Sequence, residues 1–494
     1  MKKFTLALAL ALSASALMAQ DLMVVQAGDG TAALSSGSTA CFLKRYTTAG
    51  SFVSSISMPI APSGANQALT LAGTASSEGF LTLSGNGQYL LMAGYGVAPG
   101  TPTVAGTTAA AVNRIIGRID GAGNVDTSTA LGDAYNAGNP RSAASLDGSS
   151  FWMSGTGSSG AGVRYISALG ATTSLQLSTA PTNIRVVNIQ NGQLYFSSAS
   201  GTFQGVSTCG TGVPTTAGQT CTILPGFPTA TGPSPYDFWF ASATTVYVAD
   251  DRLVASGGGI QRWDQTAGTW NLTYTMNVSL PAGCRGLCGS IVGGNAVLYA
   301  TTAQASANNV VTVTDTGAAS VFATLVTAPT NTAFRGIEFT PTAAEQTVLP
   351  SGFSVIAGTQ GPGNLASLFN DDSDRLLVQC DEFDPNTGLE VTATSPLSTV
   401  SQLKFKVVLR ASRTDMVQQI RLYSYLSNSF ENFGAGNATL TDSTKMVTVT
   451  TDPSRFIDST TREMKSQVLQ TPTTEVDGFD GWNGGFNQTI WMVQ

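Results

Sequence analysis

The sequence predicts an all-β protein: a six-bladed β-propeller closed by strands from its two ends, followed by an antiparallel β-sandwich. Three observations predict this fold. A unit of about 50 residues recurs along the first two thirds of the chain, which is typical of propeller blades. Turn-forming glycine is abundant, with 54 residues, while charged residues make up only 11%. Strands with a period of two recur in the last third.

Each repeat opens on an apolar strand that leads through a Gly, Asn or Asp turn into a second strand. The openings are spaced 63, 44, 52, 48 and 50 residues apart. The last opening strand has no blade after it, and the chain after residue 20 begins on a second strand, Leu22 to Gln26, without a first one. Joined, the two segments complete a sixth blade, so we expect a closed propeller over residues 20–347.

The N-terminus is typical of a bacterial secretory signal peptide. Two lysines precede an apolar stretch over residues 4–17, and Ala19 is a suitable residue before the cleavage point. The apolar stretch is too short to span a bilayer. We therefore expect residues 1–19 to be removed and the protein to be secreted, to an extracellular, cell-surface or periplasmic location, without a transmembrane segment.

The character of the chain changes near residue 347. Residues 21–347 carry 25 charges in 327 positions, whereas residues 348–494 carry 26 in 147. Apolar and polar residues alternate over residues 402–409, 419–425 and 445–450, as in strands with one buried face. The sequence therefore predicts a separate C-terminal β-sandwich over residues 348–494.

Composition excludes several functions. A net charge of −7 argues against nucleic acid as a partner. The chain contains no histidine, so Ser-His-Asp and Cys-His catalytic systems and His-ligated zinc sites are impossible. We find no catalytic motif, and the sequence favours binding over catalysis while leaving the question open.

Six cysteines are expected to meet an oxidising compartment. Cys209 and Cys221 flank a turn-rich segment and are the candidate disulfide. Cys284 and Cys288 can pair only if the three residues between them form a tight loop, because positions four apart in a strand lie about 13 Å apart. The pairing of Cys41 and Cys380 is left open.

One charged residue recurs at the opening strand of each blade, and the innermost strand of a propeller blade borders the central channel. These residues could form a plug of mutual ion pairs, an anion-preferring pocket, or a catalytic site with two opposed carboxylates. Arginine suits carboxylate or sulfate groups, such as those of uronic or sulfated sugars. The six channel candidates are Glu78, Arg141, Arg185, Asp237, Arg285 and Arg335.

Two further features are weaker candidates. Trp482 lies among glycines and could stack on a sugar or close the core of the sandwich. Carboxylate runs at residues 370–374 and 381–386 offer oxygen ligands for Ca²⁺, although neither has the spacing of a known loop. We expect no obligatory cofactor or metal.

Four segments, at residues 75–82, 124–131, 258–263 and 331–339, resemble a widespread group of secreted bacterial β-propeller proteins of unassigned activity. The resemblance covers roughly residues 21–341, and the tail resembles the C-terminal sandwich modules of similar exported proteins. It implies a propeller fold and export but supplies no catalytic residues. The additional cysteines depart from the pattern of the group.

Three functional hypotheses follow. The first is a secreted, non-catalytic binding or scaffold protein of the cell envelope or extracellular matrix that recognises anionic carbohydrate. The second is a carbohydrate-active enzyme that uses carboxylates in the propeller channel. The third is a subunit of a surface assembly. The corresponding partners are a polysaccharide or another surface protein.

Overall fold

The computed structural model describes residues 20–230, 232–343, 345–381, 385–474 and 482–494, so the predicted signal peptide lies outside the described residues. Over these ranges the chain forms antiparallel β-sheets, and its helical segments are short 3₁₀ turns. The all-β expectation is confirmed. The chain divides into two compact units, one that ends at Ala343 and one that follows it. The 3₁₀ turns span Val104–Gly106, Val254–Ser256, Leu365–Leu368 and Pro453–Phe456.

The first unit consists of short strands joined mostly by tight turns. Its first thirteen strands are β1 (Leu22–Ala27), β2 (Ser38–Thr39), β3 (Cys41–Tyr46), β4 (Phe52–Ser57), β5 (Leu71–Ala72), β6 (Thr82–Leu83), β7 (Tyr89–Tyr95), β8 (Arg114–Asp120), β9 (Val125–Leu131), β10 (Pro140–Ala144), β11 (Phe151–Gly155), β12 (Arg164–Ile166) and β13 (Leu175–Gln176).

The second half of this unit repeats the same pattern at greater strand length. Its strands are β14 (Val187–Gln190), β15 (Gln193–Ser200), β16 (Phe203–Cys209), β17 (Cys221–Ile223), β18 (Pro235–Ser242), β19 (Thr245–Asp250), β20 (Gly259–Thr266), β21 (Thr269–Met276), β22 (Cys284–Val292), β23 (Asn295–Thr302), β24 (Asn309–Thr314), β25 (Ala323–Thr327) and β26 (Ala333–Phe339).

These strands form six four-stranded antiparallel sheets and one two-stranded sheet, β2-β5. Five of the four-stranded sheets take consecutive strands: β6 to β9, β10 to β13, β14 to β17, β18 to β21 and β22 to β25. The sixth has the order β26-β1-β3-β4, so the last strand of the unit pairs with its first. This is the pairing that the sequence predicts for the two ends.

Hydrophobic clusters lie between successive sheets, and each is shared by two of them. Five clusters join each sheet to the next along the chain, from the composite sheet β26-β1-β3-β4 to the sheet β22 to β25. A sixth joins β22 to β25 back to the composite sheet through Cys288, Tyr299, Leu22 and Phe334. First strands such as β10 are buried along their whole length because they are covered on both faces.

Turn chemistry explains why the sequence folds into hairpins here. The two-residue turns Asn191-Gly192 and Ala267-Gly268 have positive φ at both residues, from 49° to 83°. This backbone matches the right-handed twist of the flanking strands and favours Asn and Gly. Such turns join β14 to β15 and β20 to β21 and hold the strands in register.

The second unit has longer strands that alternate buried and half-exposed residues, as in β33. Its strands are β27 (Gln346–Val348), β28 (Gly352–Ala357), β29 (Thr359–Gln360), β30 (Leu376–Gln379), β31 (Thr387–Thr394), β32 (Leu403–Ala411), β33 (Met416–Ser424), β34 (Ser429–Asn437), β35 (Ser443–Val449), β36 (Glu463–Pro472) and β37 (Asn483–Val493).

Two antiparallel sheets make up this unit. One has the order β29-β30-β37-β32-β35 with β27 paired to β37, and the other has the order β28-β31-β36-β33-β34. Inward-facing residues of both sheets, among them Phe405, Trp491, Leu422 and Val468, belong to one core cluster. The alternating pattern read from the sequence thus corresponds to sheets with one buried face.

The predicted disulfide between Cys209 and Cys221 is confirmed, and it links β16 to β17. The other four cysteines are free, buried thiols. Cys284 and Cys288 remain unpaired because both lie within β22, where an extended backbone separates them. Within the described ranges, no helix has the length and apolar character needed to cross a membrane.

Candidate functional site

The charged residues that recur in the sequence lie at or just before the first strand of each sheet. Arg141, Asp237, Arg285 and Arg335 belong to β10, β18, β22 and β26, while Glu78 and Arg185 precede β6 and β14.

A recurrent β-bulge presents these side chains. In three of the first strands, two consecutive residues lie opposite a single residue of the neighbouring strand, a geometry that bends the strand and redirects its side chains. The paired residues are Arg285-Gly286 in β22, Arg335-Gly336 in β26 and Tyr236-Asp237 in β18.

Arg141 and Arg185 form one pair of neighbouring guanidinium groups. Arg141 donates through Nη1 to Asn183 Oδ1 at 2.5 Å and to the carbonyl of Ile184 at 3.1 Å, so it lies beside the backbone that precedes Arg185. Arg185 donates through Nη1 to Ser234 Oγ and to a backbone carbonyl. Every one of these acceptors is neutral, so neither positive charge is neutralised by an ion pair.

Arg285 and Arg335 form a second pair, on the neighbouring strands β22 and β26. Arg285 donates through Nε to Asp251 Oδ2 at 3.2 Å, and its side chain is 15% exposed. Arg335 is 2% exposed and donates through Nη2 to the carbonyl of Gly73 at 2.8 Å. This pair therefore has one carboxylate partner, Asp251.

Tyr236 lies between the two pairs. The guanidinium carbon of Arg185 is 3.9 Å from the centroid of the Tyr236 ring, and that of Arg285 is 5.6 Å from it. The ring of Phe80, from the sheet β6 to β9, lies 5.6 Å from the ring of Tyr236. Tyr236 is buried, so it holds the arginines in place through cation–π contacts and offers no open face.

Glu78 is fully buried next to this group. Its carboxylate accepts hydrogen bonds from Ala72 N at 2.8 Å, Tyr95 OH at 2.6 Å and Asn139 Nδ2 at 2.5 Å. Burial raises the pKa of Glu78, while these hydrogen bonds and the charge of Arg335 oppose the rise. We call Glu78, Arg141, Arg185, Tyr236, Arg285 and Arg335 the arginine cluster.

Asp237 does not belong to the arginine cluster, which corrects the sequence-based prediction. Its carboxyl group accepts hydrogen bonds from Phe238 N and Leu287 N and contacts no arginine, and burial raises its pKa well above the usual range. The reason is the bulge in β18, where the first residue, Tyr236, takes the position that Arg285 and Arg335 occupy in their strands.

The plug of mutual ion pairs, one of the three arrangements considered from the sequence, is also absent among the described residues. No two of the six predicted residues form a salt bridge, and Arg285 pairs instead with Asp251. Burial, reinforced by the neighbouring Arg185, lowers the pKa of Arg141 to about 10; burial and the neighbouring Arg285 do the same for Arg335. Both values remain far above neutral pH, so both groups stay cationic.

Several N–H donors of the cluster have no hydrogen-bond partner within the part of the chain described. They are Nε of Arg141 and both Nε and Nη1 of Arg335. Buried donors of this kind are costly to leave unpaired. Four guanidinium groups face two carboxylates, those of Glu78 and Asp251, so the cluster carries a surplus of two positive charges.

A second charged group in the same unit shows what a satisfied network looks like. Arg262 pairs with Asp264 and Asp315, and Asp315 accepts further hydrogen bonds from the hydroxyl groups of Tyr247 and Tyr274. This group lines a cavity of about 210 Å³. Because one guanidinium group faces two carboxylates here, this group lacks the cationic surplus that distinguishes the arginine cluster.

Trp482 is not a sugar-stacking residue in this arrangement, contrary to the sequence-based hypothesis. It is only 3% exposed, packs with Cys380, Ala411 and Met416, and donates through Nε1 to the carbonyl of Pro385 at 3.0 Å. The indole is thus part of the packing of the second unit.

The acidic runs proposed as Ca²⁺ ligands accept hydrogen bonds from neighbouring side chains where they are described. In the first run, Asn487 donates to Asp371 Oδ1, and Asp374 accepts from Ser367. No group of three or more metal-ligating side chains occurs among the described residues. Residues 382–384 of the second run lie outside the described residues.

Comparisons with known proteins identify no family. No protein-family model and no curated protein sequence match the chain. Among solved structures, the GH74 enzyme of Niastella koreensis is similar over 76% of this chain and 60% of its own, with 13% identity and a TM-score of 0.37.

Two further solved structures are similar at lower scores. An exo-β-1,3-galactanase from Phanerochaete chrysosporium covers 96% of this chain and 100% of its own at 9% identity and a TM-score of 0.30. The carbohydrate-binding module TmCBM61, in complex with β-1,4-galactotriose, covers 30% of this chain and 88% of its own at 11% identity and a TM-score of 0.18. These scores are too low to establish a common fold.

Proposed function

We propose that the protein is an exported, non-catalytic binding protein of the cell envelope or extracellular matrix. Its arginine cluster recognises an anionic ligand, and the leading candidate is an anionic carbohydrate. Its partner would be a polysaccharide or a glycosylated surface. The observation that carries the proposal is the surplus of positive charge with unpaired N–H donors at Arg141 and Arg335. Guanidinium groups bind carboxylate and sulfate groups through paired hydrogen bonds.

The proposed architecture is a closed six-bladed β-propeller followed by a β-sandwich. Two observations support closure. Each four-stranded sheet of the first unit shares a core cluster with the next, including the last with the composite sheet. In addition, the Phe80 and Tyr236 rings meet although their sheets are not consecutive, as expected for side chains that face each other across a central channel.

The accessibility of the arginines supports a binding role at one mouth of that channel. Arg185 and Arg285 are partly exposed, while Arg141 and Arg335 lie buried behind them. An anion that approaches Arg185 would gain the electrostatic attraction of the buried arginines without displacing a carboxylate from Arg185. Because Arg141 and Arg335 are buried, the local dielectric constant is low and their attraction for an anion is stronger.

Catalysis by the two carboxylates named in the sequence receives no support from their surroundings. Glu78 and Asp237 are 0% and 2% exposed, and each is held by hydrogen bonds from neutral donors. A pair of catalytic carboxyl groups must reach the scissile bond of a sugar. Neither buried carboxyl group is accessible to a sugar.

The proposal is tested by measuring binding of polygalacturonate and chondroitin sulfate, with dextran as the neutral comparison, by affinity electrophoresis and titration calorimetry. We expect the full-length protein to bind an anionic polysaccharide and not dextran. Arg185→Gln combined with Arg285→Gln should weaken that binding at least about tenfold, since hydrogen bonds to charged groups contribute roughly 1.5–3 kcal/mol each.

A matched control removes a guanidinium group elsewhere. Arg45 pairs with Asp21 at the surface, and its side chain is 43% exposed. Arg45→Gln makes the same chemical change outside the cluster and should leave binding unchanged. Equal losses in both variants, or no binding of any anionic polysaccharide by the folded protein, would refute the proposal.

A further inference from the structure

The two halves of the arginine cluster differ in chemistry, and we propose that this difference selects a hydroxylated anion such as a uronate residue. One anionic group would bind at Arg141 and Arg185, and neutral hydroxyl groups would bind at Arg285 and Asp251. The inference builds on the proposed function, because it assigns a ligand class and an orientation to the same site.

The Arg141–Arg185 half accepts negative charge. All four hydrogen bonds from these two side chains go to neutral oxygen atoms, and neither guanidinium group is paired with a carboxylate. Arg185 uses only Nη1 for these bonds, so its Nε and Nη2 remain as donors on a partly exposed side chain. Two donors in one plane fit one carboxylate group.

The Arg285–Asp251 half offers donors and acceptors together. Arg285 contacts Asp251 through a single hydrogen bond from Nε to Oδ2, and both side chains are partly exposed, at 15% and 16%. The Nη groups of Arg285 can donate, and Oδ1 of Asp251 can accept. A sugar hydroxyl group both donates and accepts, whereas a second anion would meet repulsion from Asp251.

The geometry allows one ligand to reach both halves. The guanidinium carbons of Arg185 and Arg285 lie 3.9 and 5.6 Å from the same ring centroid, so at most 9.5 Å separates them. A mono- or disaccharide spans such a distance. Because Tyr236 is buried against Phe80, it fixes the spacing of the two halves and does not stack on the ligand.

Three probes separate the contributions of charge and hydroxyl groups. Trigalacturonate has both, its fully methyl-esterified form keeps the hydroxyl groups without the charge, and tricarballylate keeps carboxylates without a sugar ring. Titration calorimetry of the full-length protein at fixed ionic strength should give the tightest binding for trigalacturonate. Each of the other two probes should bind at least about tenfold more weakly, which corresponds to the loss of one charged hydrogen bond.

Two variants assign the preferences to the two halves. Arg185→Gln should remove the preference for trigalacturonate over its methyl ester, and Arg185→Lys should restore part of it by returning the charge. Asp251→Asn should reduce the preference for trigalacturonate over tricarballylate without weakening tricarballylate binding. Thermal unfolding of each variant confirms that the protein is folded, and Arg45→Gln is the charge-matched control.

The outcomes distinguish this inference from the proposed function. If trigalacturonate and tricarballylate bind equally well and Asp251→Asn changes neither, the assignment of hydroxyl groups to Arg285 and Asp251 is wrong, although anion binding stands. If neither anion binds the folded protein while polysaccharide binding is also absent, the proposed function itself is wrong. Binding that persists unchanged in Arg185→Gln would place the anion elsewhere and overturn the inference.

Discussion

Asp237 is a candidate binding residue by its position in the sequence, but its contacts in the structure are those of a residue that stabilises the fold. Its carboxyl oxygens accept the backbone N–H groups of Phe238 and Leu287, and so join β18 to the first strand of the next sheet. No arginine lies in contact with it. These two strands belong to different sheets, so the bond to Leu287 links one sheet to the next.

Replacing Asp237 should therefore affect stability and not binding. We expect Asp237→Ala to lower the free energy of unfolding by about 1–3 kcal/mol, because it leaves buried N–H groups without acceptors. Denaturant unfolding measures this change. Binding of trigalacturonate by the folded variant should equal that of the parent protein; a loss of affinity beyond tenfold would return Asp237 to the binding site.

Glu338 provides a test of pH dependence. Burial raises its pKa to about 7, and its carboxyl group accepts a hydrogen bond from Phe339 N. At pH values between the ordinary pKa of a glutamate and 7, Glu338 is protonated in the native protein but ionised in the unfolded chain. This contribution to stability is therefore present at low pH and is lost as pH rises through 7. Burial, reinforced by the charge of Glu338, raises the pKa of Asp237 and of Cys288.

Glu338→Gln should remove this dependence. The amide mimics the protonated carboxyl group, so we expect the variant to be more stable than the parent protein by about 1–3 kcal/mol at pH 8, with a small difference at pH 5. Urea unfolding at the two pH values measures the difference. A constant difference across this range would show that Glu338 does not titrate near neutrality.

The sequence identified five of the six channel candidates that lie together and failed at one. The four arginines and Glu78 lie together, whereas Asp237 bonds to backbone N–H groups and Tyr236 contacts the arginines in its place. A shift of one residue moves a side chain to the opposite face, and an extra residue in a bulge produces that shift without a clear sequence signal. The sequence did contain a signal for this shift. Arg285 and Arg335 are each followed by a glycine, so the residue that aligns with them in β18 is Tyr236, and Asp237 aligns with the glycines.

At the scale of secondary structure elements, the bulged first strands explain why the cluster exists. Each bulge places two residues against one in the neighbouring strand, which aims the first side chain away from the ladder. The second residue of the bulge is a glycine in β22 (Gly286) and in β26 (Gly336). Glycine allows the neighbouring chain to approach closely, since a Cβ at either position would lie within 2.7 Å of a backbone atom. Arg285 and Arg335 are thus carried by bulged strands, whereas Glu78 and Arg185 lie just before the first strands of their sheets.

The pairing of β1 with β26 can be tested directly. Leu22 and Phe339 are register partners on these two strands and pack in the same core cluster. We expect Leu22→Cys with Phe339→Cys to form a disulfide on mild oxidation, because Cα atoms of paired strand residues lie about 4.5–5.5 Å apart. Peptide mapping without reduction detects the bond, and each single cysteine variant serves as control.

Failure of the crosslink in folded protein would contradict this pairing. Such a result would exclude the composite sheet and, with it, the proposed closure of the six sheets. The strands concerned lie more than 300 residues apart in sequence, so no local propensity predicts their pairing. The pairing could be predicted only because the start of the unit lacks a first strand, and its end has a first strand with no further strands after it.

For the molecule as a whole, the repeat spacing and the period-two alternation predicted the all-β character and the strand patterns of both parts. The turn-rich segment between Cys209 and Cys221 predicted their disulfide. Side-chain exposure was beyond sequence reasoning. Trp482 is buried because it packs against Cys380 and Met416, residues far from it in the chain. Likewise, Asp251 joins Arg285 from a loop that no repeat pattern distinguishes.

The most direct test of the arginine cluster as an anion-binding site is a crystal structure of the full-length protein with trigalacturonate. We expect a carboxylate group of the ligand within hydrogen-bonding distance of Arg185, with hydroxyl groups near Arg285 and Asp251. A ligand bound at another surface, with the cluster empty at saturating concentration, would contradict the assignment.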